Sequence, residues 1–499
     1  MHQNRSAYLR PRRIPEIQTG LLIAVLAFSS VLIQGYHFGY EDGAIYISSI
    51  KKELDASLYP YDAMFFLSQT RWMLADKLLA ASVRLSRLPL DVVVFLWHLL
   101  AIFLVLEACR RLARRCFAQP AAQWAAVSAV WAARLLPVAG TQLNLTDTYF
   151  HPRDLSTAAI LFAFVAVLEH RLISLGWLAL AAVLHPTVAL FGAFHLAFQR
   201  PGLLSVKRQA PLAAAPVLAV GVIPNQAWRE VIATRPYLFP LRWHWYEWLG
   251  VFAPLLLLAW FARLTARSPQ EQRGVRPVVT HVCRRVVLSG SVGVAGAILV
   301  TTVPRLEGLI PLEPMRTLHF VYLMMVFLGG GLIGEFLLGA SKLRWLAFLL
   351  PICAIFYFAD RVRCEASPHV EWPGRTPANA WVEAFGWIRR NTPRDALFAL
   401  DPKHMWSPGE DSHGFRAFAE RSMLADGVKD RAVAALEPAL APAWREQVRA
   451  RKRWREFTRQ DFLQLKKEFG VRWVVLELPS KAQLPCPYRN GRVTVCQVE

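Results

Sequence analysis

Apolar and polar positions fall into long blocks along most of this chain. Windows such as 19–34, 92–106 and 249–261 are nearly free of charge. With their flanks each reaches about 20 residues, enough to cross roughly 30 Å of hydrocarbon. The pattern predicts helices over about 17–37, 90–108 and 121–139, a fourth from about 155, and later ones over about 248–264, 286–303, 317–336 and 343–359. The stretch beginning "LISLGWLALAAVLHPTVALFGAFHLAF" at Leu172 is divided at His185–Pro186. Proline removes a helical hydrogen bond and disfavours helix in the residue before it, so two short helices are expected there. The basic loop "QRPGLLSVKRQ" then falls inside, and a further crossing precedes Pro224.

These segments make a polytopic α-helical membrane protein of about eleven crossings, N-terminus cytoplasmic and C-terminal domain outside. Residues 41–89 form the first outer loop, with two amphipathic stretches, "AIYISSIKKEL" and "DAMFFLSQTRWMLADKLLAASVRL". Both are expected to lie as helices on the membrane surface, with a small extracellular helical hairpin as the alternative. From about Arg361 the hydropathy falls. "TPANAWVEAFGWIRRNTPRDALFALDP" predicts helix, turn and strand, and "FLQLKKEFGVRWVVLEL" predicts a helix stopped at Gly470 and a buried strand. The chain therefore divides into a membrane part, 1–360, and a soluble α/β domain, 361–499.

Composition agrees, since 55% hydrophobic and 19% charged residues are too apolar a mixture for a soluble chain. The net charge of +21 raises the question of nucleic acid. Its arginines, however, collect beside helix ends: Arg5, Arg10, Arg12 and Arg13, then Arg110, Arg111, Arg114 and Arg115, then Arg263, Arg267, Arg273 and Arg276. That is the distribution of short cytoplasmic loops. No basic–aromatic module accompanies it, so no nucleic-acid partner is expected. The first segment lacks a small-residue cleavage site and is expected to stay as an anchor. The seven cysteines show no metal-ligand spacing. Cys109, Cys116, Cys283 and Cys353 belong to helices, whereas Cys486 and Cys496 flank a hairpin at Asn490–Gly491. A strict two-residue turn would put that pair out of register by one, whereas a three-residue loop, 490–492, would set it opposite for a disulfide in an oxidising compartment.

The candidate chemistry begins in "HFGYEDGAIYISS", where Glu41 and Asp42 follow the first helix. A carboxylate there suits a general base or a divalent-cation ligand, although acidic residues also simply flank helix ends. Other outer loops bring Asp62, then Asp147, His151, Arg153 and Asp154, then Arg235, Arg242, His244 and Glu247, then Arg316 and His319. A transporter would bury such groups at mid-membrane. Carboxylates beside arginines suit a site that deprotonates one substrate and holds a phosphate of another. Arg153, Arg235, Arg242 and Arg316 are the candidate phosphate ligands, with snorkelling as the alternative role. His185 either faces the site from the kink or satisfies a freed carbonyl.

The acidic doublet, the helices of the first outer loop, the break at His185–Pro186 and the terminal soluble domain together resemble the C-type (GT-C) superfamily of membrane glycosyltransferases. "WIRRNTPRDALFAL" and "FRAFAERSMLADGVKD" look like segments behind the membrane part of many bacterial members. The resemblance implies inverting sugar transfer from a polyprenyl-phosphate-linked donor to a glycan, lipid or protein acceptor. The site would face outward from a bacterial-type inner membrane, among membrane lipids. Asp42, or Glu41, would activate the acceptor hydroxyl, with Asp147 or Asp154 as a second acid. Some members need a divalent cation, Mg or Mn, and others none. From composition, "SPGEDSHGFR" reads as a loop that either contacts an acceptor or is simply solvated, and "APAWREQVRARKRWREF" as a basic helix face that either rests on anionic lipid or is an ordinary solvated helix. The rival readings are a polyprenyl-glycan flippase or transporter and a non-catalytic scaffold of envelope-glycan assembly.

Overall fold

A computed structural model describes residues 16–199, 224–266, 274–376 and 378–499. The N-terminal arginine cluster, Arg267, Arg273, nearly all of the basic loop that begins at Gln199, and the crossing expected before Pro224 lie outside the described residues. Six helices among the described residues are long and apolar enough to cross a membrane, the mark of a multi-pass chain: Glu16–Gln34, Leu90–Cys116, Trp245–Ala266, Pro277–Thr302, Pro314–Leu338 and Lys342–Arg363.

In chain order the helices before residue 200 are α1 (Glu16–Gln34), α2 (Gly43–Leu54), α3 (Met64–Thr70), α4 (Ala75–Ser86), α5 (Leu90–Cys116), α6 (Pro120–Ala132), α7 (Pro152–Leu168), α8 (Ile173–Leu184) and α9 (Pro186–Gln199). Then come α10 (Gln226–Ala233), α11 (Trp245–Ala266), α12 (Pro277–Thr302), α13 (Leu318–Ile333) and α14 (Lys342–Arg363). Proline opens α6, α7 and α12, where its fixed φ suits the first turn and no helical N–H is lost. The break at His185–Pro186 is real, and it separates α8 from α9.

The third and fourth predicted helices are α6 and α7, of 13 and 17 residues. Each is shorter than an ordinary crossing, and every residue of α7 from Pro152 to Val167 is buried inside the protein. α6 lies against α13 through small residues. A Cβ added at Gly330 would stand 2.3 Å from the Ala129 Cβ, and one at Gly334 would stand 2.4 Å from that of Ala125. Glycines four apart let two backbones approach closely where lipid gives no hydrophobic drive to association.

The first outer loop departs from expectation. The segment 43–50 of α2 is wholly buried, between α4 and the C-terminal region. Its Lys51 donates to Glu420 and to the Ala417 carbonyl instead of meeting lipid headgroups. The second amphipathic stretch breaks near Arg71–Leu74 into α3 and α4, leaving Met64, Trp72, Leu74 and Leu85 exposed.

The C-terminal region is sheet-containing, as the alternating pattern predicts. Its helices are α15 (Ala380–Asn391), α16 (Phe415–Ala419), α17 (Asp430–Leu436), α18 (Ala441–Ala450) and α19 (Arg459–Phe469). After a short antiparallel pair before α7, β1 (Pro137–Val138) and β2 (Leu143–Asn144), the C-terminal sheet runs β4 (Ser422–Met423), β3 (Leu397–Ala399), β5 (Trp473–Glu477), β7 (Val493–Gln497), β6 (Tyr488–Arg489). β4, β3 and β5 are parallel, and the last two pairings are antiparallel. A capping box of Thr458 and Asp461 opens α19, and Gly470 at φ +77° closes it. Cys486 and Cys496 are disulfide-bonded. Of the two registers open to the sequence the even-numbered connection is the one present: Arg489 faces Thr494, so the cysteines bridge one residue out of step.

Gly330→Val is expected to destabilise the folded protein by about 1–3 kcal/mol through overpacking against α6. Gly20→Val, where nothing lies within 4 Å of the new Cβ, should not. Thermal unfolding of the two variants in detergent makes the comparison; equal losses would refute the close contact.

Candidate active site

The chain leaves α1 through Gly35 and Gly39, both at positive φ, and turns again at Glu41, φ +50°. The Glu41 N–H donates to the Ser412 carbonyl at 2.9 Å, which pins this turn to the C-terminal region. Asp42 stands at the start of α2, where the positive helix end favours a carboxylate. Its side chain caps no helical N–H and points instead into a cavity of about 1020 Å³.

At the cavity wall the Lys429 ammonium meets both members of the acidic pair. It lies 2.8 Å from Asp42 Oδ1 and also donates to Glu41 Oε2. On the other side of Asp42, His151 Nε2 stands 3.7 Å from Oδ2. The His151 Nδ1 accepts the Arg153 N–H at 3.0 Å, capping α7. A backbone N–H can only donate, so a neutral His151 carries its proton on Nε2, toward Asp42. Burial opposes charge on Asp42, but Lys429 and then His151 outweigh it and hold the carboxyl well below the usual range. Burial, aided by Arg153, lowers the His151 pKa and keeps the ring neutral. Lys429 is also penalised by burial, and the two carboxylates override that and raise its pKa.

The cavity brings together Glu41, Asp42, Asp147, His151, Arg153, His185, Arg235 and Arg316, from loops far apart in sequence. Asp154 is not at its surface; buried behind Asp147, it accepts that residue's N–H at 3.4 Å. Arg242 and His244 are not brought in either. Both are exposed, Arg242 over the Phe239 ring and His244 stacked on Tyr246, because the short turns around Pro240 direct them away from the cavity. His319 is spent on the Leu145 carbonyl, 2.9 Å away. Asp62 serves the fold by accepting from Arg416 and from the Met423 N–H.

The expected phosphate ligands prove already paired. Arg153 holds Asp147, Arg235 holds Glu313 at 2.7 Å, and Arg316 holds the other oxygen of Glu313. Two cations that sequence reasoning passed over also line the cavity, Arg363 and Arg431. Neither has a carboxylate within ion-pair distance among the described residues, and Arg431 Nε is buried without a hydrogen-bond partner. They and Lys429 were hidden because nothing local marks them. The one trace is the turn at Asp426, whose Oδ1 accepts the N–H of Val428, Lys429 and Asp430 and so fixes the lysine's backbone.

The loop "SPGEDSHGFR" is no open acceptor loop. Its Glu410 and His413 are fully buried beneath the acidic pair. The basic helix α18 docks on α10, with Arg445 and Arg449 on Glu230 and Trp444 buried, rather than presenting its arginines to lipid. Lys429 donates to both carboxylates and balances one of their two negative charges.

Asp42 loses its contribution to stability only as pH falls through its depressed folded pKa, and Lys429 only as pH rises through its raised one. The stability difference between wild type and Lys429→Met should therefore be constant from roughly pH 5 to 10 and shrink below about pH 4. Melting temperatures across that range test it; a difference that changes steeply between roughly pH 6 and 8 would rule out the ion pair as its source.

A family model described as a domain of unknown function, DUF6798, matches residues 379–436. That segment carries His413, Arg416, Lys429 and Arg431. No curated protein matches the chain.

Proposed function

We propose that the chain is a multi-pass membrane glycosyltransferase of the GT-C type, moving a sugar from a polyprenyl-phosphate carrier to an acceptor hydroxyl. The reading places the cavity on the outer face of a bacterial-type inner membrane. Counting the shorter helices and the segment before Pro224 as crossings keeps the total at about eleven.

The observation that carries it is the joining of the ionised Asp42, its neighbour Glu41 and several cations in one cavity at the helix ends. Asp42 Oδ2, free of the lysine, takes the acceptor's hydroxyl proton as the oxygen attacks the anomeric carbon. The bond from that carbon to the carrier phosphate breaks with inversion, and its electron pair leaves on phosphate. Arg363 and Arg431, unpaired by carboxylates, receive that charge, with Arg316 nearby. His151, with its Nε2 proton aimed at Asp42, orients the base. Lys429 holds the doublet in place, and no step is routed through a metal ion. The exposed apolar faces of α11 and α14, including Leu256, Trp260, Leu346 and Phe358, suit contact with acyl chains beside the cavity.

The test is transfer by the purified protein, offered a panel of polyprenyl-phosphate sugars. Asp42→Asn should lower turnover by at least about 100-fold while the protein remains folded. Unchanged turnover would transfer the base role to Glu41 or Asp147. Movement of lipid-linked sugar across vesicles without any transfer would favour the flippase reading.

A further inference from the structure

A second cluster of chemically active groups lies just behind the cavity wall, and the glycosyl-transfer reading makes no use of it. His37, from the link between α1 and α2, meets Asp360 and Cys364 at the end of α14. One donor atom from each of the three lies within 4.8 Å of the others, and all three residues are buried. His37 Nε2 is 3.1 Å from Asp360 Oδ1. Ligand atoms on a tetrahedral zinc ion, with bonds of about 2.0–2.3 Å, stand roughly 3.3–3.6 Å apart, so small side-chain shifts would close the set.

The groups around the three carry the pattern that surrounds a metal. His37 Nδ1 points at Glu371 Oε1, 3.2 Å away. A metal-bound imidazole almost always gives its other N–H to a carboxylate or carbonyl. Glu371 is itself held by the Phe38 N–H and by His413 Nε2 at 2.8 Å. The second oxygen of Asp360 meets His369 Nδ1 at 2.7 Å.

The neighbouring histidines complete the surroundings. His37 has a carboxylate on each ring nitrogen. His369 lies on Asp360 and the Leu32 carbonyl, and His413 on Glu371 and the Glu410 carbonyl. Both carboxylates beside His37 are thus oriented by a second imidazole, as ligand and outer carboxylates around a metal are held in place.

We propose that His37, Asp360 and Cys364 bind a zinc-class metal ion that fastens the α1–α2 link to the end of α14. The donor set of one imidazole, one carboxylate and one thiolate selects Zn²⁺ or Co²⁺ over Mg²⁺ and Mn²⁺. Cys364 binds as the thiolate, giving up its proton to solvent, and the fourth position is left for water. Its role is structural: it fixes the strand that ends in Glu41 and Asp42.

The test uses the full chain in detergent, stripped with a chelator and titrated with Co²⁺. A thiolate-to-cobalt absorption band should saturate at an equimolar ratio, vanish when Zn²⁺ is added, be absent in Cys364→Ser and survive in Cys353→Ser. Zn²⁺ should raise the melting temperature of wild type, and Glu371→Gln should weaken Co²⁺ binding by about 10- to 100-fold. No band in wild type at equimolar Co²⁺ would overturn the proposal whatever the variants do, as would a band that persists in Cys364→Ser.

Discussion

The eight residues from Gly35 to Asp42 are clamped on two sides, and the cavity wall follows from that clamp. At Gly35 the chain turns so tightly over Asp360 that any Cβ would lie 2.6 Å from a carboxylate oxygen. Tyr36 then pairs with Val370, and Tyr40 with His413, as short β-bridges. Between them the carboxylates of Asp360 and Glu371 enclose His37. Buried charges of this kind are tolerated only when each meets a partner of opposite sign or a hydrogen bond. The partners come from the end of α14, the loop after it and the C-terminal region. That region is therefore part of the wall that presents Glu41 and Asp42, and it is no appendage to the helices.

The same logic explains the electrostatics of the cavity. Two adjacent carboxylates repel, and a lysine from the far end of the chain donates to both; with His151 it keeps Asp42 ionised. Of the cavity arginines in the membrane part, Arg153 is paired with Asp147, and Arg235 and Arg316 share Glu313. These pairings shape the cavity. The cations left for an anionic ligand, Arg363 and Arg431, sit where the helices give way to the C-terminal region. An anion bound there would bridge the two parts of the molecule.

Beneath the cavity, the helices divide by what they touch. α7 is surrounded by protein, and α6 meets α13 through glycine and alanine. α14, in contrast, buries only Asp360. Short inner helices that end at the cavity bring polar loops to one level, and long outer helices leave apolar flanks free. The break at His185–Pro186 belongs to this plan, since it brings His185 to the lining.

Much of this was legible in the sequence. Blocks of apolar residues determined the helices, Pro186 the break, Gly470 the end of α19, and alternating segments the C-terminal sheet. Glu41, Asp42, His151 and Arg153 were found because each sits at a helix end, and helix ends are marked by local chemistry. Tertiary structure alone decided the rest. Lys429 reaches Glu41 across 388 positions, α2 is covered by a region whose docking no local pattern announces, and the turns at Pro240 send Arg242 and His244 outward. The cysteine hairpin closed out of step because register is set by the sheet as well as by the turn. Periodicity and capping act over a few residues, so they specify elements and their ends. Which charges meet is decided by packing, once those elements are brought together.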